Sequence, residues 1–172
     1  MRELLDVVDN RDHVTGTILR DDIWQLFKAT GKNVRYANCF VQNAKGMFWV
    51  PRRTAHKKIA PNGLDFAASE HVKSGERYLA AITRGMSEEL GLKAVPSKLQ
   101  EIGKLEPAAD RPYFSMIYRY VLESVPPYNP EDFTGYQWLT PNQLLRLLES
   151  GELAKQDLLP ALRLLMLHGK QT

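Results

Sequence analysis

A single cysteine, Cys39, leaves this 172-residue chain without a partner for an intramolecular disulfide, so its fold must rest on a buried core. That composition suits a reducing cytoplasm. Long apolar runs are missing as well, and nothing approaches the roughly 20 residues of a membrane-spanning helix. The opening MRELLDVVDN carries acids where a secretory signal would need an uninterrupted apolar stretch, so a cytoplasmic protein is expected. Nor does one sign of charge dominate: 23 Lys and Arg stand against 20 Asp and Glu, for a net charge of +3. The basic residues are spread out except in PRRTAHKK at 51–58, and nucleic-acid binding is not demanded. What is present is 44% hydrophobic and 25% charged residues, enough for one globular domain over 1–172.

Strand and helix patterns alternate without a low-complexity linker or a repeat, which reads as a mixed α/β domain. LLDVVD (4–9) and VTGTIL (14–19) flank NRDH as a hairpin does, and VRYANCFVQN and GMFWVPRR flank AKG in the same manner. Further strands are expected over 64–72 and 113–124, with a short one at 135–139. ERYLAAITRGMSEEL (76–90) repeats Tyr78, Ile82, Met86 and Leu90 at fourfold spacing, so that stripe of a helix should face the core. Other helices are expected over 21–31, from the Thr140 cap to Gly151, and over 157–169. Cys39 and the aromatics Trp24, Trp49, Tyr113 and Tyr118 read as core, although an aromatic can also stack on a nucleobase.

The chemistry concentrates in ASEHVKSGERYLAAITRGMSEELGL, residues 68–92. Arg84 and Glu88 lie one helical turn apart, with Glu89 adjacent. Paired carboxylates late in a helix repel each other and meet the negative end of its dipole, unless a cation resolves both conflicts. Hard divalent ions such as Mg²⁺ take oxygen ligands of this kind and leave positions open for phosphates. A solvated helix face accounts for the same residues without any ligand.

The stretch resembles the Nudix box, G-x5-E-x7-R-E-U-x-E-E-x-G-U, with U an apolar residue. Glu76, Arg84, Met86, Glu88, Glu89, Gly91 and Leu92 fall on its positions. DVVDNRDHVTGTILR, WVPRRTAHKKIAPNGLDFAASEHV and GYQWLTPNQL extend the likeness toward the branch that includes isopentenyl diphosphate isomerase. The resemblance implies a Nudix fold over 1–172, a mixed β-sheet between helices (α/β/α), with Mg²⁺ or Mn²⁺ as cofactor. It implies a small nucleotide or diphosphate as substrate and a possible homodimer. It further implies metal ligation by Glu88 and Glu89, with Arg84 orienting the carboxylates and Glu76 supporting Arg84 from the first helical turn. Arg53 and Lys57 are candidate phosphate contacts, although a solvated strand end explains them as well.

Two box positions depart from the pattern: Glu70 stands where the first Gly belongs, and Gly85 where a metal-binding Glu belongs. One acidic gain beside one acidic loss suggests a relocated ligand, with Glu70 supplying from the facing segment the carboxylate that position 85 lacks. Isomerase chemistry is not expected: Ser69 occupies the position of a catalytic Cys, no His pair precedes the third strand, and DRPYFSMIYRY contains no Glu. Only His71 survives from that set, as a substrate contact or a satisfied loop side chain. Glu106, Glu131 and Asp132 are candidates for a further catalytic carboxylate, and AADRPYF for a lid. Three functions stay open: a metal-dependent Nudix hydrolase, a catalytically weak nucleotide or diphosphate binder, and a structural protein carrying a relic of the box.

Overall fold

The computed structural model describes residues 3–169. The chain runs β1 (Leu4–Val8), β2 (Val14–Leu19), α1 (Ile23–Thr30), β3 (Val34–Gln42), β4 (Phe48–Arg53), β5 (Ala68–His71) and α2 (Tyr78–Leu90). It continues through β6 (Gln100–Leu105), β7 (Tyr113–Val121), β8 (Phe133–Leu139), α3 (Pro141–Glu149) and α4 (Leu158–His168). β1 and β2 form a two-stranded hairpin of their own, while the other strands build a six-stranded sheet in the order β6-β7-β3-β4-β8, with β5 paired to β3. β3 and β7 run parallel and the remaining pairs antiparallel, so the sheet is mixed.

Alternation along β3 divides the core. Ala37, Cys39 and Val41 face one way and pack under Ile82, Met86 and Leu90 of α2. Phe40 faces the other way and meets Phe48, Phe66 and the Leu-rich faces of α3 and α4. The sheet is therefore sandwiched between helices, the expected α/β/α arrangement. The hairpin closes one end through Leu5, which packs with Ile23, Val34 and Tyr113. Helix α3 starts as its sequence dictates: Thr140 Oγ accepts the Gln143 N–H, the Gln143 side chain accepts the Thr140 N–H, and Pro141 follows the cap.

Three expected elements change. The strand expected over 64–72 is regular only over Ala68–His71, because Leu64 makes isolated bridges to Arg52 of β4 and to Ala154, whereas 68–71 pair with β3. Gln100–Leu105, to which the sequence pattern assigned no element, is the edge strand β6; Gly103 and a register shift between Glu101 and Gly103 break its alternation and hid it. The helix expected from residue 76 begins at Tyr78, which leaves Glu76 outside the first helical turn.

Candidate active site

Helix α2 buries Ala81, Ile82, Gly85, Met86 and Leu90 against the sheet and stops at Gly91, whose φ of 59° is left-handed. The Gly91 and Leu92 N–H groups return to the carbonyls of Ser87 and Met86, and Leu92 packs on the core beneath. This C-terminal motif explains a glycine followed by an apolar residue just past two glutamates.

Arg84 is the hub of the solvent-facing side. Its Nη1 donates to Glu70 Oε2 at 2.8 Å and to Glu88 Oε2 at 3.4 Å, while Nε and Nη2 reach Glu76 at 3.2 and 3.1 Å. Nη2 also donates to the His71 carbonyl at 2.9 Å, so one guanidinium fastens β5, the approach to α2 and α2 itself. Glu76 performs the support expected of it from a different place: Oε2 accepts the Lys73 N–H at 3.0 Å in the turn before the helix. Burial works against ionised Glu76, but Arg84 and the Lys73 N–H prevail and hold its carboxyl below the ordinary value.

Glu70 lies directly over Gly85. A Cβ added to Gly85 would overlap Glu70 Cγ and stand 3.4 Å from both its Cβ and its Cδ. The space in which a side chain at 85 would begin is filled by the side chain that β5 sends across, and the missing Cβ is what lets it lie there. Burial raises the Glu70 carboxyl, and its hydrogen bond from Arg84 opposes the rise.

Glu89 is turned to Ser69 of β5. Its Oε2 accepts the Ser69 N–H at 3.2 Å, and the Asn129 N–H binds its backbone carbonyl at 2.9 Å. Burial pushes its carboxyl well above the ordinary range, and the negative charges of Asp65, Glu70 and Asp132 push it further, with Lys155 opposing. Glu88 is exposed, whereas Glu89 is half-buried against β5.

Arg53 and Lys57, expected to hold phosphate, are paired with Asp65 and Asp132 respectively, two carboxylates whose charges bear on Glu89. Asp65 and Lys155 are the residues that sequence reading missed. Lys155 donates to Ser69 Oγ, lies 3.8 Å from Asp65 Oδ1 and sits over the rings of Tyr36 and Phe66. No spacing in the sequence connects it to the box.

Other candidates go elsewhere. His71 is buried, shares a hydrogen bond with the Tyr36 hydroxyl, and is kept neutral by a pKa pulled down to about 2, chiefly through burial. Glu106 and Glu131 are exposed, and of the three further acids Asp132 alone bears on Glu89. The loop before β7 is tied to Gln156, which donates to the Asp110 carbonyl. Trp49, Tyr113, Tyr118 and Cys39 are buried as expected, whereas Trp24 is exposed. An open cleft of about 1160 Å³ runs along the outer side of α2 and is bordered by Arg84 and Glu88.

A model of the NUDIX domain matches residues 32–162. A Nudix hydrolase of Deinococcus radiodurans is 36% identical over 162 residues, covering 94% of this chain and 92% of that protein. The chain belongs to the Nudix hydrolase family. An uncharacterized Nudix hydrolase of Nostoc sp. is 39% identical over 158 residues, covering 91% of this chain and 92% of its own length. The crystal structure of DR0079 from Deinococcus radiodurans superimposes with a TM-score of 0.81 at 35% identity, covering 94% of this chain and 98% of that one.

Nudix proteins use divalent metals, and the donors here fit such an ion in kind. Glu70, Glu88 and Glu89 offer hard oxygen atoms, and the crowding of negative charge that raises the Glu89 carboxyl is what a divalent cation relieves. Among the described residues no three acidic, His or Cys side chains already converge as a metal-binding group. Glu70 and Glu88 are instead turned to the Arg84 guanidinium, which occupies the place of a cation between them.

Proposed function

We propose that this Nudix protein is a Mg²⁺- or Mn²⁺-dependent hydrolase that cleaves a phosphoanhydride bond in a nucleoside di- or triphosphate or a related diphosphate, in a cytoplasmic setting. The observation that carries the reading is Glu70 lying in the space above Gly85, which keeps a carboxylate at the box despite the loss of one from α2. Glu70, Glu88 and Glu89 would hold the metal. Bound there, it would neutralise charge on the diphosphate and lower the pKa of the attacking water. Arg84 fixes the direction of Glu70 and Glu88, and Glu76 fixes Arg84. With the bound cation offsetting the negative charge around it, Glu89 would be an ionised carboxylate able to receive the proton of that water. Arg53 and Lys57 can turn from Asp65 and Asp132 toward phosphate once a substrate enters. A homodimer, if formed, is not needed for any of these roles.

A second reading, a diphosphate binder with little turnover, is favoured by one observation: Arg84 already satisfies two of the three carboxylates. Isomerase chemistry gains no support, since the Ser69 hydroxyl accepts from Lys155 and β7 carries no acid. Phosphate release from a panel of nucleoside di- and triphosphates with Mg²⁺ or Mn²⁺ decides between hydrolase and binder. Turnover in the wild type that Glu89→Gln lowers by at least about 100-fold supports the hydrolase. Thermal stabilisation by the same compounds without turnover supports the binder.

A further inference from the structure

The hairpin tip places one carboxylate where three donors from three other elements converge. Asp12 Oδ2 accepts from Lys104 Nζ of β6 at 2.8 Å and from the Tyr78 hydroxyl of α2 at 2.9 Å. Arg35 of β3 donates through Nε to Asp12 Oδ1 and through Nη2 to the Asp12 carbonyl. Burial opposes the charge on Asp12, yet Lys104, Arg35 and Tyr78 together hold its carboxyl below the ordinary value.

The donors have supports besides Asp12. Arg35 stacks 5.6 Å from the centre of the Tyr78 ring and stands 4.0 Å from Asp6, whose oxygens also take the Ser74 hydroxyl and the Gly75 N–H. Lys104 Nζ lies 4.9 Å from the centre of the Phe114 ring. The cradle is therefore built into β3, β6 and α2, whereas its occupant is borrowed from a separate two-stranded sheet. The base of that sheet is anchored through buried Leu5 and Val8, but from Asn10 to Thr17 every residue except Asp12 is exposed. Asp12 itself takes a left-handed φ of 65°, a conformation that aspartate adopts more readily than most residues with a Cβ.

Arg35 and Tyr78 also border the cleft that reaches Arg84 and Glu88 of the box. A guanidinium fork, an ammonium and a hydroxyl match the oxygens of a phosphate better than those of a carboxylate, which offers fewer acceptors and one charge less. We propose that Arg35, Lys104 and Tyr78 form an anion site for a terminal phosphate of the ligand, and that Asp12 fills this site until the ligand displaces it. The proposal extends the diphosphate reading: it assigns the cleft a second anchoring point away from the box and makes the hairpin tip a competitor for it.

The test is calorimetric titration of inorganic phosphate into the full chain in the presence of EDTA, which separates this site from any metal-dependent binding at the box. Asp12→Asn should bind phosphate at least tenfold more tightly than wild type, and Lys104→Met added to it should abolish the gain. Equal affinity in wild type and Asp12→Asn, or a gain that survives Lys104→Met, overturns the proposal. Should Asp12→Asn fail to fold, Lys104→Met alone decides: it should weaken phosphate binding relative to wild type, and unchanged binding overturns the site. None of these readings depends on turnover, so a wild type inactive toward every substrate would refute the hydrolase while leaving the anion site to stand or fall by its own titration.

Discussion

Gly85→Ala in the wild type and in a Glu70→Gly background measures whether the glycine of α2 exists to admit Glu70. In an unobstructed helix interior the change to alanine gains about 1 kcal/mol. Here the new Cβ would overlap Glu70 Cγ, which is too near the root of the side chain to swing aside without leaving its rotamer and its 2.8 Å bond to Arg84. Overpacking of this kind costs roughly 1–3 kcal/mol, so the substitution should be neutral or destabilising by up to about 2 kcal/mol in the wild type. With residue 70 reduced to glycine, the obstruction is gone and the same substitution should stabilise by about 1 kcal/mol. The coupling between the two positions is therefore about 1–3 kcal/mol, well within the reach of urea unfolding followed by fluorescence. Because Glu70→Gly is common to both sides of the cycle, its own cost in the strand cancels. Additive effects, with Gly85→Ala stabilising equally in both backgrounds, would refute the idea that the two residues were exchanged as a pair.

Three further outcomes follow from the same contacts. Arg84→Lys keeps the charge but loses the fork that serves Glu70, Glu76 and the His71 carbonyl, and should cost roughly 1–3 kcal/mol in urea unfolding together with a fall in kcat; wild-type stability would contradict the hub. Thr140→Ala removes the α3 cap and should cost about 1 kcal/mol in thermal unfolding without altering kcat, since α3 lies on the far face of the sheet from α2. His71 has a folded-state pKa of about 2, below its ordinary 6.5, so its contribution to stability is complete above pH 6.5 and is lost as the pH falls toward the folded value. Burial raises the pKa of Glu70, Glu89 and Asp157, which pulls the other way below neutrality, so the wild-type curve alone is ambiguous. The informative quantity is the difference between wild type and His71→Asn, which should shrink by up to about 1.4 kcal/mol per pH unit between pH 6 and 5; a constant difference contradicts the buried neutral ring.

The readable part of this molecule was whatever a local period or a fixed gap encodes. The fourfold spacing of Ile82, Met86 and Leu90 gave the buried face of α2, and the gaps from Glu76 to Leu92 gave the register of the box, because both are properties of one continuous segment. β6 escaped because Gly103 and a register shift interrupt its alternation, and because an edge strand with an exposed side lacks the apolar run of a central one. Asp65 and Lys155 escaped for another reason. Their relevance comes from the pairing of β3 with β5 and from the loop that leads into α4, and no residue near them in sequence announces that they meet Ser69 and Glu89. Glu76 was given the right partner and the wrong place: an acid just before a helix serves Arg84 as well as one inside it, and the sequence distinguishes them by only two residues.

A common pattern links these sites. Apart from Glu89, the charged groups proposed to meet a metal or a phosphate are satisfied by neighbours of opposite sign: Arg84 by Glu70, Glu76 and Glu88, Arg53 by Asp65, Lys57 by Asp132, and Arg35 with Lys104 by Asp12. Such pairing keeps partly buried charges from standing alone, which would cost far more than the pairs return in net stability. It also sets the conditions for binding. A divalent cation competes with Arg84 for Glu70 and Glu88, and a phosphate competes with Asp12 for Arg35 and Lys104, so metal and anion each free groups of the sign that the other ligand needs. Binding of a metal–diphosphate complex replaces internal ion pairs with external ones at little net change of charge, whereas either component alone leaves its displaced partner uncompensated. The two should therefore bind with positive coupling: Mn²⁺ affinity should rise in saturating nucleoside diphosphate, and by thermodynamic reciprocity nucleotide affinity should rise by the same factor in saturating Mn²⁺. Independent affinities, measured by calorimetry on the wild type with a non-hydrolysable methylene-bridged nucleoside diphosphate, would show that these pairs are fixtures of the fold and are not exchanged for ligand.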